Sequence, residues 1–221
     1  KSWPFERDRI ALNIAPTIPL LCSDAFLKAC RKLADEFGVG VHTHMAESRV
    51  WARLGEMKYG QSLAKHFDTM GLISSKFTAA HGVWLSDDDL KLMADKGASV
   101  AHNPLSNMRL GSGLADVPSM RRLGVNVGLG TDSCNCSDNL SMIESMRIAS
   151  YTSRVIGYGV DDWLSTNEVF RMATTGSAAA LGWQDQIGLL SPGFKADMVL
   201  LDRRDIGFVP LHNAVNQLVH C

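Results

Sequence analysis

Short apolar runs alternate with longer amphipathic stretches along most of the chain, and the runs predict β-strands. Strands separated by helices pair in parallel through right-handed crossovers. Two α/β architectures fit this order, a barrel of βα units and an open doubly wound sheet. No glycine-rich phosphate loop follows the first run, which weakens the nucleotide-binding version of the open sheet. The predicted strands are 9–15, 40–44, 77–83, 98–102 and 125–130.

The stretches between the strands have the periodicity and end signals of helices. Ser23 is a candidate N-cap for a helix that Gly38 ends, and Ser86, with Asp89 at the third helical position, begins another that Gly97 ends. The apolar positions of the first helix fit a 3.6-residue period, and they are Phe26, Leu27, Cys30, Leu33, Ala34 and Phe37. Further helices are predicted at 118–123, 140–156 and 167–181.

The pattern changes near the end of the chain. A turn at 187–193 precedes an apolar run at 196–202 that predicts a strand with no helix after it. We therefore expect a separate small β domain to begin in this region.

Composition narrows the possible functions. The hydrophobic share of 46% and charged share of 20% favour a folded core, and the net charge of −1 argues against nucleic-acid or membrane-surface partners. No apolar run approaches the roughly 20 residues needed to span a bilayer, and the first residues lack the apolar segment of a signal peptide. Five cysteines do not suggest a disulfide scaffold, so we expect a reducing, cytoplasmic setting.

Acidic and imidazole side chains recur where successive predicted strands end. In a parallel βα barrel these ends open onto one face, so residues distant in sequence converge there. Two histidines and an aspartate with a glutamate nearby predict a divalent metal site with a proton shuttle. His42 shares a strand face with the next histidine but lies one layer deeper. The candidates are His44, Glu47, His81, His102, Asn103 and Asp132.

Each of these residues has an ordinary structural explanation when taken alone. Asp132 could cap the segment that follows it, and Glu47 could be a solvated carboxylate in the first turn of a helix. Cys134 and Cys136 resemble a ligand pair but lack a second pair, and His66 has no partner in sequence. The recurrence of acidic and imidazole residues at strand ends, more than any single one, supports the metal site.

Four ordered motifs resemble the amidohydrolase superfamily, in particular its chlorohydrolase/aminohydrolase branch of triazine hydrolases, guanine deaminases and methylthioadenosine/adenosylhomocysteine deaminases. The motifs are His44–Glu47, Ala80–Val83, His102–Asn107 and Gly128–Asp132. The resemblance implies a (β/α)8 TIM barrel of the metal-dependent hydrolase type plus part of a small β-sandwich. Residues 1–185 would then belong to the barrel, and 186–221 would begin the return into the sandwich.

Spacing assigns the motifs to barrel strands. In the family the metal-binding aspartate ends strand eight, and 88 residues separate His44 from Asp132, about three βα units of roughly 31 residues each. This places His44 on strand five, His81 on strand six and Asn103 on strand seven. The chain would cover strands four to eight of a longer enzyme. The family's strand-one His-x-His metal ligands are absent from it.

The resemblance also implies roles. His44 and Asp132 would ligate one divalent metal, zinc first, with iron or manganese as alternatives. A metal-bound hydroxide would attack an aminated N-heterocycle of the purine, pterin, pyrimidine or triazine type, with Asp132 as general base. Glu47 would carry a proton to the ring nitrogen, and His81 would hydrogen-bond the water or the tetrahedral oxygen, so both would contact the substrate.

The same residues also leave other functions open. The same site could hydrolyse a cyclic amide or a carbon–chlorine bond, or the barrel could be a non-catalytic scaffold. We expect the protein to be a hydrolase acting on non-peptide carbon–nitrogen bonds, with a small heterocyclic substrate, and to form a homo-oligomer.

Overall fold

The structure, a computed structural model, describes residues 5, 6 and 8–220. Most of the first residues, read above as lacking a signal peptide, lie outside that part. Within it, five strands form a single parallel sheet in the order β1-β2-β3-β4-β5. The strands are β1 (Asn13–Ile14), β2 (Gly40–Met45), β3 (Phe77–His81), β4 (Ser99–His102) and β5 (Asn126–Leu129).

The strand order decides between the two architectures left open by the pattern. Each strand pairs with its neighbours in sequence, as in the wall of a βα barrel, whereas a doubly wound sheet reverses its order part-way. The described sheet is therefore a stretch of barrel wall, and its carboxyl ends all face the same way.

Helices follow most of the strands. The first six are α1 (Asp24–Phe37), α2 (Arg49–Tyr59), α3 (Leu63–Thr69), α4 (Asp87–Asp95), α5 (Pro104–Arg109) and α6 (Val117–Arg122). The later ones are α7 (Cys134–Ser137), α8 (Met142–Val155), α9 (Thr166–Arg171), α10 (Ser177–Ala180) and α11 (Ala214–His220). Single 3₁₀ turns occur at Pro19–Leu21, Val160–Asp162 and Ile206–Phe208.

The two faces of the sheet differ in chemistry. The outer face is apolar and packs under the helices, through residues such as Val41, Met45, Phe77, Val100 and Val127. The inner face consists of small and polar residues in two rows that the strand register defines. The upper row is His44, Ala80, Ala101 and Gly128, and the lower row is His42, Thr78, Ser99 and Asn126.

The predicted helix ends of α1 and α4 are confirmed. The Ser23 hydroxyl accepts the Phe26 N–H, and Gly38 ends α1 with a φ of +65°, a left-handed conformation that glycine adopts without a Cβ clash. Ser86 and Asp89 form a reciprocal capping box at the start of α4. The capping side chains bind backbone groups only a few residues away. The helix ends that they define therefore do not depend on the rest of the fold.

The helix predicted over 167–181 is not one regular α-helix. A π-turn at Met172–Gly176 joins α9 to α10, where the backbone packs tightly against β5. A Cβ on Gly176 would lie 2.4 Å from the Val127 carbonyl oxygen. The Ser177 hydroxyl accepts the Leu129 N–H. This close approach accounts for the irregular turn, and α10 thereby covers part of the inner face of the sheet.

A further prediction about the elements is wrong. Residues 196–202 form no strand, because no described strand lies beside them to exchange backbone hydrogen bonds, and Val199 and Leu200 are exposed. Phe26 and Leu33 are also exposed, whereas α1 buries only Leu27, Cys30 and Ala34. Helix α1 contacts β1 and β2 along this narrow stripe.

A wide apolar concavity of about 850 Å³ lies beside β1, between α1 and the segment after α10. Leu33, Phe37, Leu181 and Trp183 line part of it. In the described sheet β1 pairs with β2 alone, so its other edge is open toward this concavity.

The last helix is one that the pattern did not predict. Helix α11 packs on α8 and α9 through the fully buried Val219.

No helix in the described part of the chain is long and apolar enough to cross a membrane. The four cysteines within the described residues, Cys22, Cys30, Cys134 and Cys136, are free thiols.

Candidate active site

Four residues predicted for the site come together at the carboxyl ends of the strands. The imidazole Nε2 of His81 lies 4.0 Å from Glu47 Oε1 and 3.8 Å from Asp132 Oδ2. The rings of His44 and His81 are stacked, with centroids 5.4 Å apart. The predicted convergence of these side chains is therefore present, while their chemical roles stay predictions.

Left-handed backbone marks the ends of the strands at this cluster. Ala46, His81 and Asp132 have φ values of +48°, +73° and +58°. Such values are costly for residues with a Cβ, and they concentrate at functional sites. His81 shows the geometric consequence. Its neighbour Ala80 is on the inner face, so strict alternation would turn His81 outward, yet its side chain lines the inner cavity.

A backbone carbonyl orients His44. The Nδ1 of His44 lies 2.6 Å from the Thr17 carbonyl oxygen, in the loop after β1. A carbonyl oxygen only accepts, so Nδ1 carries the proton and Nε2 keeps its lone pair. The neighbouring Thr43 hydroxyl donates to the Pro16 carbonyl oxygen. Metal-ligating histidines commonly have this arrangement, in which the second ring nitrogen donates to a carbonyl or carboxylate.

Asp132 is held by two donors. The Ser106 hydroxyl donates to Oδ2 at 2.6 Å, and the Ser133 backbone N–H donates to Oδ1 at 2.7 Å. Partial burial raises the pKa of Asp132, but these hydrogen bonds and the nearby His81 and His44 outweigh it, so the pKa is lowered from its usual value. The side chain is therefore a carboxylate at neutral pH.

His81 has one nitrogen toward the cluster and one toward the protein interior. Its Nδ1 lies 2.9 Å from the amide oxygen of Asn107 on α5, and both side chains are buried. Ser106, the residue before Asn107, holds Asp132. Helix α5 thus contacts two members of the cluster.

Three members of the cluster, His44, His81 and Asp132, line a cavity of about 500 Å³ on the inner face of the sheet. Helix α10 closes part of it through Ser177 and Ala180. His42 lies in this cavity one layer below His44, as the strand register shows. Burial, His44 and His81 together lower the pKa of His42. The wider concavity beside β1 has no comparable group of imidazoles and carboxylates among its lining residues.

His102, one of the strand-end candidates, does not join the cluster. Ala101 is on the inner face, so the adjacent His102 points to the opposite face, where it is buried. Neither ring nitrogen has a hydrogen-bond partner in the described structure. Burial and the nearby His81 lower its pKa to about 3, so it is neutral at pH 7. Asn103, in contrast, lines the cavity.

Two side chains outside the cluster, His66 and Trp84, have structural contacts. His66 is buried, shares a 3.0 Å contact with Asp24 Oδ1 and stacks on Tyr59. The Trp84 indole donates to the Ser112 carbonyl oxygen at 2.7 Å. Sequence reasoning missed Thr17, which acts through its backbone carbonyl and so leaves no signature in residue type.

The donors of the cluster fit a metal ion in type but not in number. One imidazole nitrogen and one carboxylate suit zinc, iron or manganese, yet catalytic zinc commonly has three protein ligands. Across residues 5, 6 and 8–220, no group of three or more histidine, cysteine, aspartate or glutamate side chains is placed to hold a metal ion. Within the described residues, His44 and Asp132 do not by themselves complete the ligand set of a catalytic zinc ion.

Comparison with known proteins identifies the family of the chain. Residues 2–219 match the amidohydrolase family. The chain belongs to the amidohydrolase family. Its TIM-barrel relatives share the α/β fold described above, and the resemblance read from the four motifs is confirmed.

Three similar proteins illustrate the relationship within the amidohydrolase family. A 5′-deoxyadenosine deaminase of Methanopyrus kandleri is 35% identical over 96% of this chain and 48% of its own length. An adenosine deaminase from Xanthomonas campestris with bound zinc superposes with a TM-score of 0.90 at 32% identity, over 94% of this chain and 47% of that chain. A variant of atrazine chlorohydrolase from Arthrobacter aurescens, complexed with zinc and atraton, has a TM-score of 0.86 at 27% identity, over 93% and 46%.

Nearly all of the chain aligns with these relatives, but it covers only part of each of them. It spans about half the length of the curated amidohydrolase relatives it matches. The cluster of His44, Glu47, His81 and Asp132 lies within that half.

Proposed function

We propose that the full-length protein containing this sequence is a metal-dependent hydrolase that deaminates an aminated N-heterocycle. The observation that supports this most strongly is the position of His81, whose Nε2 faces the carboxylates of Glu47 and Asp132 at about equal distance. An imidazole between two carboxylates, at the edge of a cavity, is suited to moving protons on and off a bound substrate. The enzyme would act on carbon–nitrogen bonds other than peptide bonds.

Two of the metal's ligands would come from this chain. His44 offers Nε2, since Thr17 engages its other nitrogen, and Asp132 offers a carboxylate oxygen. When bound, a divalent ion, with zinc as the first candidate, supplies Lewis-acid activation of the attacking water. The further ligands would come from a His-x-His pair elsewhere in the full-length protein.

The residues of this chain divide the proton transfers. Asp132, an ionised carboxylate, accepts a proton from the attacking water as the oxygen–carbon bond forms. Glu47 delivers a proton to the ring nitrogen next to the reacting carbon, which removes the negative charge that develops there. His81 hydrogen-bonds the oxygen that becomes the product carbonyl. Asp132 then gives its proton to the amino group, Glu47 recovers a proton from the attacking oxygen, and ammonia leaves the tetrahedral carbon as the carbonyl forms.

Adenine nucleosides are the first substrates to test. The Methanopyrus relative is named for 5′-deoxyadenosine and the Xanthomonas structure for adenosine. A cavity of about 500 Å³ is within the usual range for small-molecule sites. We infer that the 6-amino group of a purine nucleoside would face Glu47 and Asp132.

Ammonia release by the full-length, metal-loaded protein tests this function. We expect one ammonia for each 5′-deoxyadenosine or adenosine consumed, with the corresponding inosine-type product. Aminated pterins, pyrimidines and triazines extend the panel. No ammonia from any member, with metal bound and the fold intact, would refute deamination.

Hydrolysis of a carbon–chlorine bond is the second candidate, because the similar Arthrobacter protein is named a chlorohydrolase. The same attack would replace chloride instead of ammonia at an electron-poor ring carbon. Chloride release from a chlorinated triazine, without ammonia release from the aminated panel, would favour it. Cleavage of a cyclic amide would release neither.

We also propose the organisation around the site. Residues 1–185 would belong to the barrel, and residues 186–221 would begin the return into a β-sandwich. The protein would be a cytoplasmic homo-oligomer without nucleic-acid or membrane partners. The near-neutral charge supports the last point. Zinc as the resident metal rests on the two zinc-bound neighbours.

A further inference from the structure

His81 is at the centre of the cluster, and its orientation is not set by its backbone alone. A left-handed φ of +73° directs the side chain into the cavity, but the ring could still turn over about its own axis. Turning the ring by 180° would put a carbon where each nitrogen lies, and in a neutral imidazole one nitrogen donates while the other accepts. The chemistry at the cavity therefore depends on what fixes the ring.

Asn107 supplies a partner to one nitrogen only. Its amide oxygen lies 2.9 Å from Nδ1, whereas Nε2 faces Glu47 Oε1 at 4.0 Å and Asp132 Oδ2 at 3.8 Å, longer than hydrogen bonds. An amide oxygen accepts and cannot donate, so Nδ1 must carry a proton. Nε2 is then left without a direct protein hydrogen bond and points at the reacting centre.

The fold gives no reason of its own for an asparagine here. The side chain of Asn107 is 1% exposed, and its amide nitrogen has no hydrogen-bond partner in the described structure. A buried donor without a partner destabilises the folded state, and an apolar side chain of similar shape would avoid that cost. Among the described residues, His81 is the partner of the Asn107 side-chain amide.

We propose that Asn107 is a positioning residue, which holds His81 in its Nδ1–H form and so reserves Nε2 for the substrate. The inference rests on the proposed function, since it assigns Asn107 a part in that reaction. Asn107 itself does not touch the cavity: it acts through His81. Helix α5 holds Asn107 rigidly, because its N–H donates to the Asn103 carbonyl and its carbonyl accepts the Ser112 N–H.

Two substitutions in the full-length, metal-loaded protein separate positioning from packing. Asn107→Leu keeps the approximate volume and removes the acceptor, while Asn107→Asp keeps an oxygen at the same place. If Asn107 positions His81, we expect kcat to fall about 10- to 100-fold in Asn107→Leu, the usual cost of losing such an orienting partner. KM should change less than about threefold, since Asn107 makes no substrate contact. Asn107→Asp should recover most of the kcat.

If Asn107 only filled space, the kcat values of the two variants would fall in the reverse order. The apolar leucine would then be tolerated, and the charged aspartate would be the more damaging change in a buried site. Wild-type kcat in Asn107→Leu would overturn the proposal, and so would an Asn107→Leu protein more active than Asn107→Asp. Metal content and thermal unfolding of both variants identify any protein that lost its metal or its fold.

Nitrogen NMR of the His81 ring gives a readout that does not need turnover. In the wild-type protein with ring-labelled histidine, Nδ1 should show the signals of a protonated nitrogen, and a His81→Asn protein assigns the resonance. Asn107→Leu should shift the ring toward the Nε2–H form. An Nε2–H tautomer in the wild-type protein would contradict the proposal. If the ring behaves as expected but no substrate is turned over, the proposed function fails, while the finding that Asn107 holds His81 in its Nδ1–H form stands.

Discussion

The Ser106 hydroxyl donates a 2.6 Å hydrogen bond to Oδ2 of Asp132, and this contact links helix α5 to the segment that follows β5. It uses one lone pair of the carboxylate, leaves others for a metal ion, and fixes the direction in which the carboxylate points. Partners of this kind contribute to metal affinity without touching the metal.

Removing this donor should therefore weaken metal binding. For Ser106→Ala we expect the affinity of the full-length protein for zinc to fall about 10- to 100-fold, measured by competition with a chelator. Ser106→Thr, which keeps a hydroxyl, is the matched control and should bind closer to the wild-type value. Equal zinc affinity in Ser106→Ala and the wild-type protein would show that this hydrogen bond has no part in the metal site.

The proposed proton transfer by Glu47 can be tested by replacing its carboxyl group with an amide of the same shape. In Glu47→Gln the side chain still reaches toward His81 but no longer transfers a proton. We expect kcat for ammonia release to fall at least about a hundredfold, the lower range for general acid–base catalysis. Steady-state assays at saturating substrate measure this directly. The metal content should be unchanged, because Glu47 is not among the proposed ligands. Undiminished turnover would exclude Glu47 as the proton carrier.

The lowered pKa of the buried His102 predicts that the free energy of unfolding depends on pH. Its pKa is about 3 in the folded protein, against about 6.5 for an unperturbed histidine. Between these values the unfolded chain binds a proton that the folded protein does not. The free energy of unfolding should therefore fall as the pH drops through this window, by up to about 1.4 kcal/mol per pH unit from this residue.

Substituting His102 by an apolar residue should remove that contribution. Neither ring nitrogen has a partner, so His102→Leu loses no hydrogen bond of the described structure. Urea unfolding at pH 7.5, 5.5 and 4.5 compares the two proteins. We expect the advantage of His102→Leu over the wild-type protein to grow as the pH falls. Parallel pH profiles would show that His102 is not a buried neutral imidazole.

Gly176 tests the packing of the π-turn against the sheet. A Cβ there would lie 2.4 Å from the Val127 carbonyl oxygen, and backbone on both sides prevents relief. We expect Gly176→Ala to lower the free energy of unfolding by at least about 2 kcal/mol, in the range of overpacked sites. Gly159→Ala is the control, because its added Cβ would meet nothing within 4 Å. A similar stability for both variants in denaturant unfolding would contradict the packing described for β5.

Local signals in the sequence predicted much of the fold. The caps at Ser23 and Ser86 and the left-handed Gly38 involve groups only a few residues apart, so they can be read without the tertiary structure. The convergence of His44, His81 and Asp132 also followed, because parallel strands place their carboxyl ends on one side.

Other features depend on contacts that sequence patterns do not encode. The π-turn at Met172–Gly176 arises from close packing on β5, and His81 enters the cavity through an unusual φ. Thr17 orients His44 through a backbone carbonyl that every residue possesses. The run at 196–202 has strand-like residues, but a strand also needs a hydrogen-bonding neighbour, and the described residues offer none.

The most direct test is the position of the metal in crystals of the full-length protein loaded with zinc. Anomalous diffraction at the zinc edge should show one ion about 2.0–2.2 Å from Nε2 of His44 and from a carboxylate oxygen of Asp132. An ion bound away from both side chains, or no ion in a protein that releases ammonia from its substrate, would contradict the account.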